Sequence, residues 1–458
     1  MLPAAPAQQN LINAPEPSHA ARPRVLPDRL PDKPSLAPVF KIPVGPLGFS
    51  APGAYYLGQR TSLVSLDFFD EDRLLFTFRV PGLIKRDPAE REAGEDDQRQ
   101  IRALVLKLPA GIVEAEALWT VHDRAPYLWM LKDGHFLLRD ERVLDLGDTS
   151  LDLKPFLRFP GPLIWLDTDP SEEFLVADSR EPSATAQKPN QAPEGETHFN
   201  DPDMSLHAAR QQPSGGDREP VGLGTQEMAV AGHAAEELKP ASQPDLVVRL
   251  LRRDSGQVIL VSRTRTAIHL PLHNDGYLES LRARGNEWLV NLNSFSGKIA
   301  TLGRFDSSCS PLIDVLSQQE VLLTGCAGSA AGKLLAMSID GRHLWELQTS
   351  DTTAWPLLVK SSDGSRLARE SLIVSTPVSP RAPLSSEEVK GQRVEIIDAA
   401  DGNLSLETAA SPALDAGGNV AISPSGRRVA VLNGGQIQVF ELPAPPKLPE
   451  PAAHPPAR

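Results

Sequence analysis

The chain holds two cysteines in 458 residues, Cys309 and Cys326. Their number and spacing exclude a CxxC redox pair and a cysteine-bound metal cluster. No run of 18 apolar residues occurs, so no transmembrane helix is expected. A formal charge of −13 with no basic stripe argues against a nucleic-acid scaffold and otherwise serves solubility. The Gly-x-Ser-x-Gly, P-loop, His-Glu-x-x-His and Rossmann fingerprints are all missing. With them go the usual sequence signals of acyl transfer, phosphate binding, zinc hydrolysis and dinucleotide binding. No catalytic residue, metal ligand or cofactor is assigned.

A basic n-region and an apolar h-region are also missing from the first residues, MLPAAPAQQNLINAPEPSHAARP, so no intact signal peptide is read there. Ala5-Pro6-Ala7 before Gln8-Gln9 nevertheless suits a small-residue cleavage site followed by a polar, proline-rich leader. The expected location is therefore secreted or periplasmic, with a cytoplasmic protein carrying a tail as the alternative.

Proline, in contrast, is abundant and uneven. Most of the 43 prolines crowd residues 1–50, the region 179–244 and the tail 443–458. Such stretches bury too little apolar surface to offset ordering entropy, and are expected to be disordered. The remainder, about 320 residues between 51 and 442, is enough for one large core.

That remainder is built of short strands. LVSLDFF (63–69), RLLFTFRV (73–80), IRALVLKL (101–108) and IVEAEALWTV (112–121) alternate in the two-residue period of a half-buried sheet. Asp70-Glu71-Asp72 and Pro109-Ala110-Gly111 supply turns, and a charged insertion (85–100) separates the middle runs. The same meander recurs about seven times on a period of roughly 40–60 residues once insertions are set aside. Asp133-Gly134, Asp340-Gly341, Asp363-Gly364 and Asp401-Gly402 mark its hairpins. A lone four-stranded sheet cannot hide both faces, whereas a ring of such sheets covers each with its neighbours. The seventh unit, Gly418 to Leu442, has only three strands. The expected fold is all-β: a seven-bladed β-propeller of four-stranded antiparallel blades, the last blade completed by an N-terminal strand within 39–44 or 50–59.

DGRHLWEL, SPSGRRVAVLNGGQIQVFEL and FDEDRLLFTF together resemble bacterial β-propellers of the WD40, YVTN and PQQ-like type, over about residues 55–442. ISPSGRRVAV is similar to the inner strand pair of WD40-type blades, and DGRHLWEL to the end of a PQQ-type repeat. The resemblance implies a scaffold, not an activity.

Candidate sites are sparse. Cys309 and Cys326 lie 17 residues apart across one strand–turn–strand excursion. A disulfide there would contribute roughly 3 kcal/mol, and two buried thiols are the alternative. Trp129, Trp165 and Trp355 each fall in the first strand of a unit. They are candidates for a binding face near the central channel, with packing between blades as the other reading. His122-Asp123-Arg124 reads as a polar loop rather than a base–carboxylate pair. His269, His273 and Asp275 could approach a metal only with further ligands. Asp167, Asp169 and Glu172 in DTDPSEE read as an acidic turn before a calcium site.

The expected function is a non-catalytic binding module, with another protein as the expected partner, no nucleic acid, and a monomeric state. An exported propeller enzyme (hydrolase or quinoprotein-like dehydrogenase) and a structural subunit of an envelope assembly are the alternatives.

Overall fold

The structure is a computed structural model. It describes residues 24–26, 29–52, 64–80, 99–121, 126–181, 245–264, 270–274, 276–328, 331–350, 352–377 and 384–446. Two short strands come first, β1 (Arg24–Val25) and β2 (Phe40–Pro43). Seven antiparallel sheets then follow in chain order. Blade 1 is β3 (Val64–Phe68), β4 (Arg73–Arg79), β5 (Arg99–Lys107) and β6 (Ile112–Val121); blade 2 is β7 (Leu128–Met130), β8 (Phe136–Asp140), β9 (Val143–Gly147) and β10 (Leu153–Arg158). Blade 3 is β11 (Leu163–Thr168), β12 (Phe174–Glu181), β13 (Asp245–Arg252) and β14 (Val258–Thr264); blade 4 is β15 (Leu272–His273), β16 (Gly276–Arg284), β17 (Glu287–Ser294) and β18 (Ile299–Asp306). Blade 5 is β19 (Leu312–Val315), β20 (Glu320–Ala327), β21 (Ala331–Ser338) and β22 (His343–Gln348); blade 6 is β23 (Thr353–Lys360), β24 (Arg366–Val374), β25 (Val389–Asp398) and β26 (Leu404–Ala410). Blade 7 is β27 (Val420–Ile422), β28 (Arg428–Asn433) and β29 (Gln436–Glu441).

Side-chain alternation sends each strand's residues to two different seams. In blade 7, Val420, Ile422, Val429, Val431 and Phe440 pack on blade 6, with Ala368, Val394 and Leu406. Their neighbours Ala421, Ala430, Leu432, Ile437 and Val439 pack on blade 1, with Val64, Leu66, Phe76 and Leu104. Each of the other five seams has its own apolar cluster. The core is therefore a ring of seven wedges. The first strands lie at its hub, where β27 neighbours β3.

The ring is closed by β2. Phe40, Lys41, Ile42 and Pro43 pair antiparallel with Val439, Gln438, Ile437 and Gln436, giving blade 7 its fourth strand. Of the two expected donors, 39–44 is the one used; most of 50–59 lies outside the described residues. The described part of residues 1–50 does more than supply that strand. β1 pairs in parallel with β22 on the outer edge of blade 5, at Arg24↔Leu347 and Val25↔Gln348. Ser35 and Glu407 then exchange two bonds on the edge of blade 6: the Ser35 amide donates to the Glu407 carbonyl and the Glu407 amide to Ser35 Oγ. Proline breaks central strands, whereas an outermost strand has a free side where a missing N–H costs no ladder bond.

The hub strand of blade 4 is two residues long. Too few side chains remain there for a period to show.

Candidate functional site

In a ring of up-and-down meanders, every connection from a second to a third strand leaves on one face. Every turn from a first to a second strand leaves on the other. The three long insertions all belong to the first class. Residues 80–98 join β4 to β5, 182–244 join β12 to β13, and 375–388 join β24 to β25. They emerge from blades 1, 3 and 6, on the same face of the ring.

Cys309 and Cys326 meet on that face as well. Their sulfurs are bonded at 2.05 Å, with Cα atoms 5.5 Å apart. The bridge ties the connection entering blade 5 to the end of β20. Ser307 reinforces it: its hydroxyl donates to the Cys309 carbonyl at 2.7 Å and accepts from the Cys326 amide at 2.9 Å.

The opposite face carries a bowl of about 580 Å³ over the channel mouth, lined by residues of blades 2, 3, 5 and 6 and by Pro445 and Pro446 beyond the last strand. A narrower cavity of about 150 Å³ lies among the hub strands of blades 3 to 6, with Asp167, Asp314 and Lys360 on its wall. Lys360 Nζ donates to the Val315 carbonyl at 2.8 Å.

The tryptophans are held mainly by seams. Trp129 is half-buried against the blade 2–3 cluster, with the Arg139 guanidinium 5.6 Å from its ring. Trp165 is half-buried against the blade 3–4 cluster. Trp355 lies on β23, with its side chain outside the described residues. His122, Asp123, Arg124, His269 and Asp275 also lie outside them. His273 is buried, and its Nε2 meets the Gln318 carbonyl at 2.8 Å, tying blade 4 to blade 5.

The DTDPSEE carboxylates do not converge. Asp169 accepts from the Ser171 amide at 2.9 Å and the Phe174 amide at 2.7 Å, while Glu172 crosses to the Lys132 amide at 2.9 Å. This is a turn stapled to the preceding blade. Among the described residues no three His, Cys, Asp or Glu side chains gather as a metal would require.

Buried charge is a feature that no sequence motif marks. On the blade 5 side of blade 6, Arg369 Nη1 donates to Glu395 at 3.0 Å, and Arg393 lies 3.5 Å from the same carboxylate. On the blade 7 side, Glu370 accepts from Gln392 Nε2 at 2.9 Å, and Gln392 Oε1 accepts from Asn419 at 2.7 Å. Burial pushes the Glu370 carboxyl up to about 8 and that of Asp67, on the hub strand of blade 1, up to about 7. The signal was present as Arg369-Glu370 inside RLARESLIV, a charged pair within an apolar strand.

No family model and no curated protein matches this sequence. Similar solved structures include an acylaminoacyl peptidase of Pyrococcus horikoshii in its orthorhombic form, at 10% identity and TM-score 0.41, over 82% of this chain and 50% of that one. The β-propeller domain of the Trilobed protease from Pyrococcus furiosus matches at 10% identity and TM-score 0.41, over 85% of this chain and 100% of that one. A chain of a mitotic checkpoint complex matches at 8% identity and TM-score 0.42, over 95% and 98%. The chain spans about half the length of the peptidase. No activity is carried over from these likenesses, and the fold rests on the sheet topology itself.

Proposed function

We propose that the protein is a non-catalytic interaction module that presents the insertion-bearing face of the propeller to a protein partner. The observation carrying this reading is the shared origin of the three long connections between second and third strands. Loops on a rigid ring can diverge without disturbing its core, and contacts made by several of them add up to a broad surface. The test is a paired capture. The full chain and a variant with 182–244 replaced by a short Gly-Ser linker are compared for proteins retained under identical conditions. A partner held by the full chain and lost from the shortened one supports the reading. Identical retention by both would refute it for this insertion.

The protein is further proposed to act outside the cytoplasm, in the periplasm or after secretion. The bonded Cys309 and Cys326 support this, because such bridges persist in oxidising compartments. Alkylation of protein taken directly from its native source, followed by intact-mass measurement, gives the test. Two labelled thiols before reduction would count against export.

A further inference from the structure

The bowl opposite the insertions has a lining that is mostly satisfied from within. Lys132 Nζ donates to the Pro170 carbonyl. Asp363 Oδ1 accepts from the Ser361 and Ser365 hydroxyls, each at 2.7 Å, and from the Ser365 amide at 2.9 Å. The Gln318 carbonyl is met by His273. Glu320 is the exception. It lines the bowl, is only 2% exposed, and its Oε1 has no hydrogen-bond partner.

A buried carboxylate oxygen without a donor is costly, and native structures seldom keep one unless something else satisfies it. We propose that the bowl binds a primary ammonium group on a short aliphatic stem, with the Glu320 carboxylate as its counter-charge. Ammonium fits better than guanidinium, since a compact three-donor head needs one strong acceptor rather than a planar array. Glu320 and Asp363 outnumber Lys132, the one cationic side chain of the lining, which disfavours anions. The apolar part of the lining, Pro170, Leu316, Ala400 and Pro445, suits the stem.

Burial alone pushes the Glu320 carboxyl up to about 7, with no neighbouring cation offsetting it. Ammonium binding should therefore strengthen as pH rises through neutrality. The other titratable groups at the site are Lys132 from blade 2, His273 from blade 4 and Asp363 from blade 6.

Two sources share this chemistry, a free diamine and the lysine side chain of another protein. Titration calorimetry on the full chain with cadaverine, with the tripeptide Gly-Lys-Gly and with neutral 1,5-pentanediol separates them. Cadaverine or the tripeptide should bind at pH 8 and lose roughly ten-fold in affinity at pH 6, following Glu320 ionisation. Preference for the tripeptide assigns the site to a lysine of a partner, and preference for cadaverine to a free amine. Glu320→Gln keeps the shape, removes a buried charge, should fold at least as well, and should lose at least ten-fold in affinity at pH 8. Equal binding of pentanediol, unchanged binding by E320Q, or no binding at millimolar probe would overturn the proposal. A chain lacking 182–244 should bind the amine unchanged, so this result stands apart from that of the insertion face.

Discussion

The outer edges of blades 5, 6 and 7 meet the N-terminal segment, whereas the described residues leave those of blades 1 to 4 bare. On the belted arc the covering segment packs on apolar residues of the edges. Leu26 packs with Leu347 and Trp345 of blade 5, and Ile42 with Ile437 and Val439 of blade 7. On the bare arc the edges mostly defend themselves with charge or proline. In β6, Glu114 and Glu116 pair with Lys107 and Arg102. Lys154 and Pro155 sit in β10, and Arg304 in β18. Buried charge is concentrated in blade 6 without being confined to it. Blade 6 buries two pairs, Arg366–Asp398 and Arg369–Glu395, and blade 3 one, Arg249–Glu181, while the Arg304–Glu287 and Arg252–Glu173 pairs of the bare arc lie at the surface. One arc is a covered structure closed by a distant segment; the other is built from local contacts.

The largest expected effect comes from removing the belt. Deleting residues 1–44 strips blade 7 of its fourth strand and exposes the surfaces that Leu26, Ile42 and Val44 cover. At about 1.5–3 kcal/mol for each of the three buried aliphatic side chains, the loss is ~4.5–9 kcal/mol. Calorimetry should show a much lower and broader transition. Ile42→Lys alone, at a residue 3% exposed, should reproduce much of it. An unchanged melting temperature in the truncated protein would mean that β2 does not close the ring.

Next comes the buried charge. Glu395→Ala leaves Arg369 and Arg393 facing each other without their shared carboxylate, and should cost about 3–5 kcal/mol in chemical denaturation. Glu287→Ala on the bare arc removes an exposed partner of Arg304 and should cost under about 1 kcal/mol. Replacing the whole cluster, Arg369→Met and Arg393→Leu together with Glu395→Leu, should recover most of the first loss, since no buried charge is then left to desolvate. Equal costs for the two single variants would erase the contrast.

A further effect is carried by pH. The Glu370 carboxyl is held near 8 by burial, far above its ordinary value. The folded state thus keeps a proton that the unfolded chain releases. Its stabilisation is complete below the unfolded value near 4.5 and is lost as pH rises through about 8. The slope approaches about 1.4 kcal/mol per unit where only the folded state holds the proton. Urea unfolding of wild type and Glu370→Gln at pH 5 and pH 8 measures it. The wild type should weaken towards pH 8 more than the variant. Asp67 and Glu320 contribute the same sign and remain in both proteins.

These contrasts also show where the sequence was readable. Strand alternation and Asp-Gly turns are local, so blades 1, 2, 5, 6 and 7 could be bounded from adjacent residues. The missing fourth strand of blade 7 was a matter of counting. The belt was not readable in the same way, because β1 and Ser35 are set by partners more than 300 residues away and their own segment is too short and too proline-rich to show a period. Nor was the bowl. Glu320 opens EVLLTGC as an ordinary strand-start glutamate, and only its burial at the channel mouth makes it unusual. A site assembled from the turns of four blades leaves no spacing for a motif search to find.

The smallest expected effect tests the one bare edge without a defence. β14 exposes Val258, Ile259 and Val261, at 44%, 47% and 51%, before its first charge at Arg263. A long apolar edge of this kind is prone to pair with another chain. Ile259→Lys should change stability by no more than about 0.5 kcal/mol, since the side chain leaves no core. It should, however, lower self-association at high concentration, measured by light scattering. The same change at Ile42 damages the fold, so the pair separates an edge strand the protein depends on from one it merely exposes. A large stability loss at Ile259 would place β14 under cover, and the bare arc would then have a belt of its own.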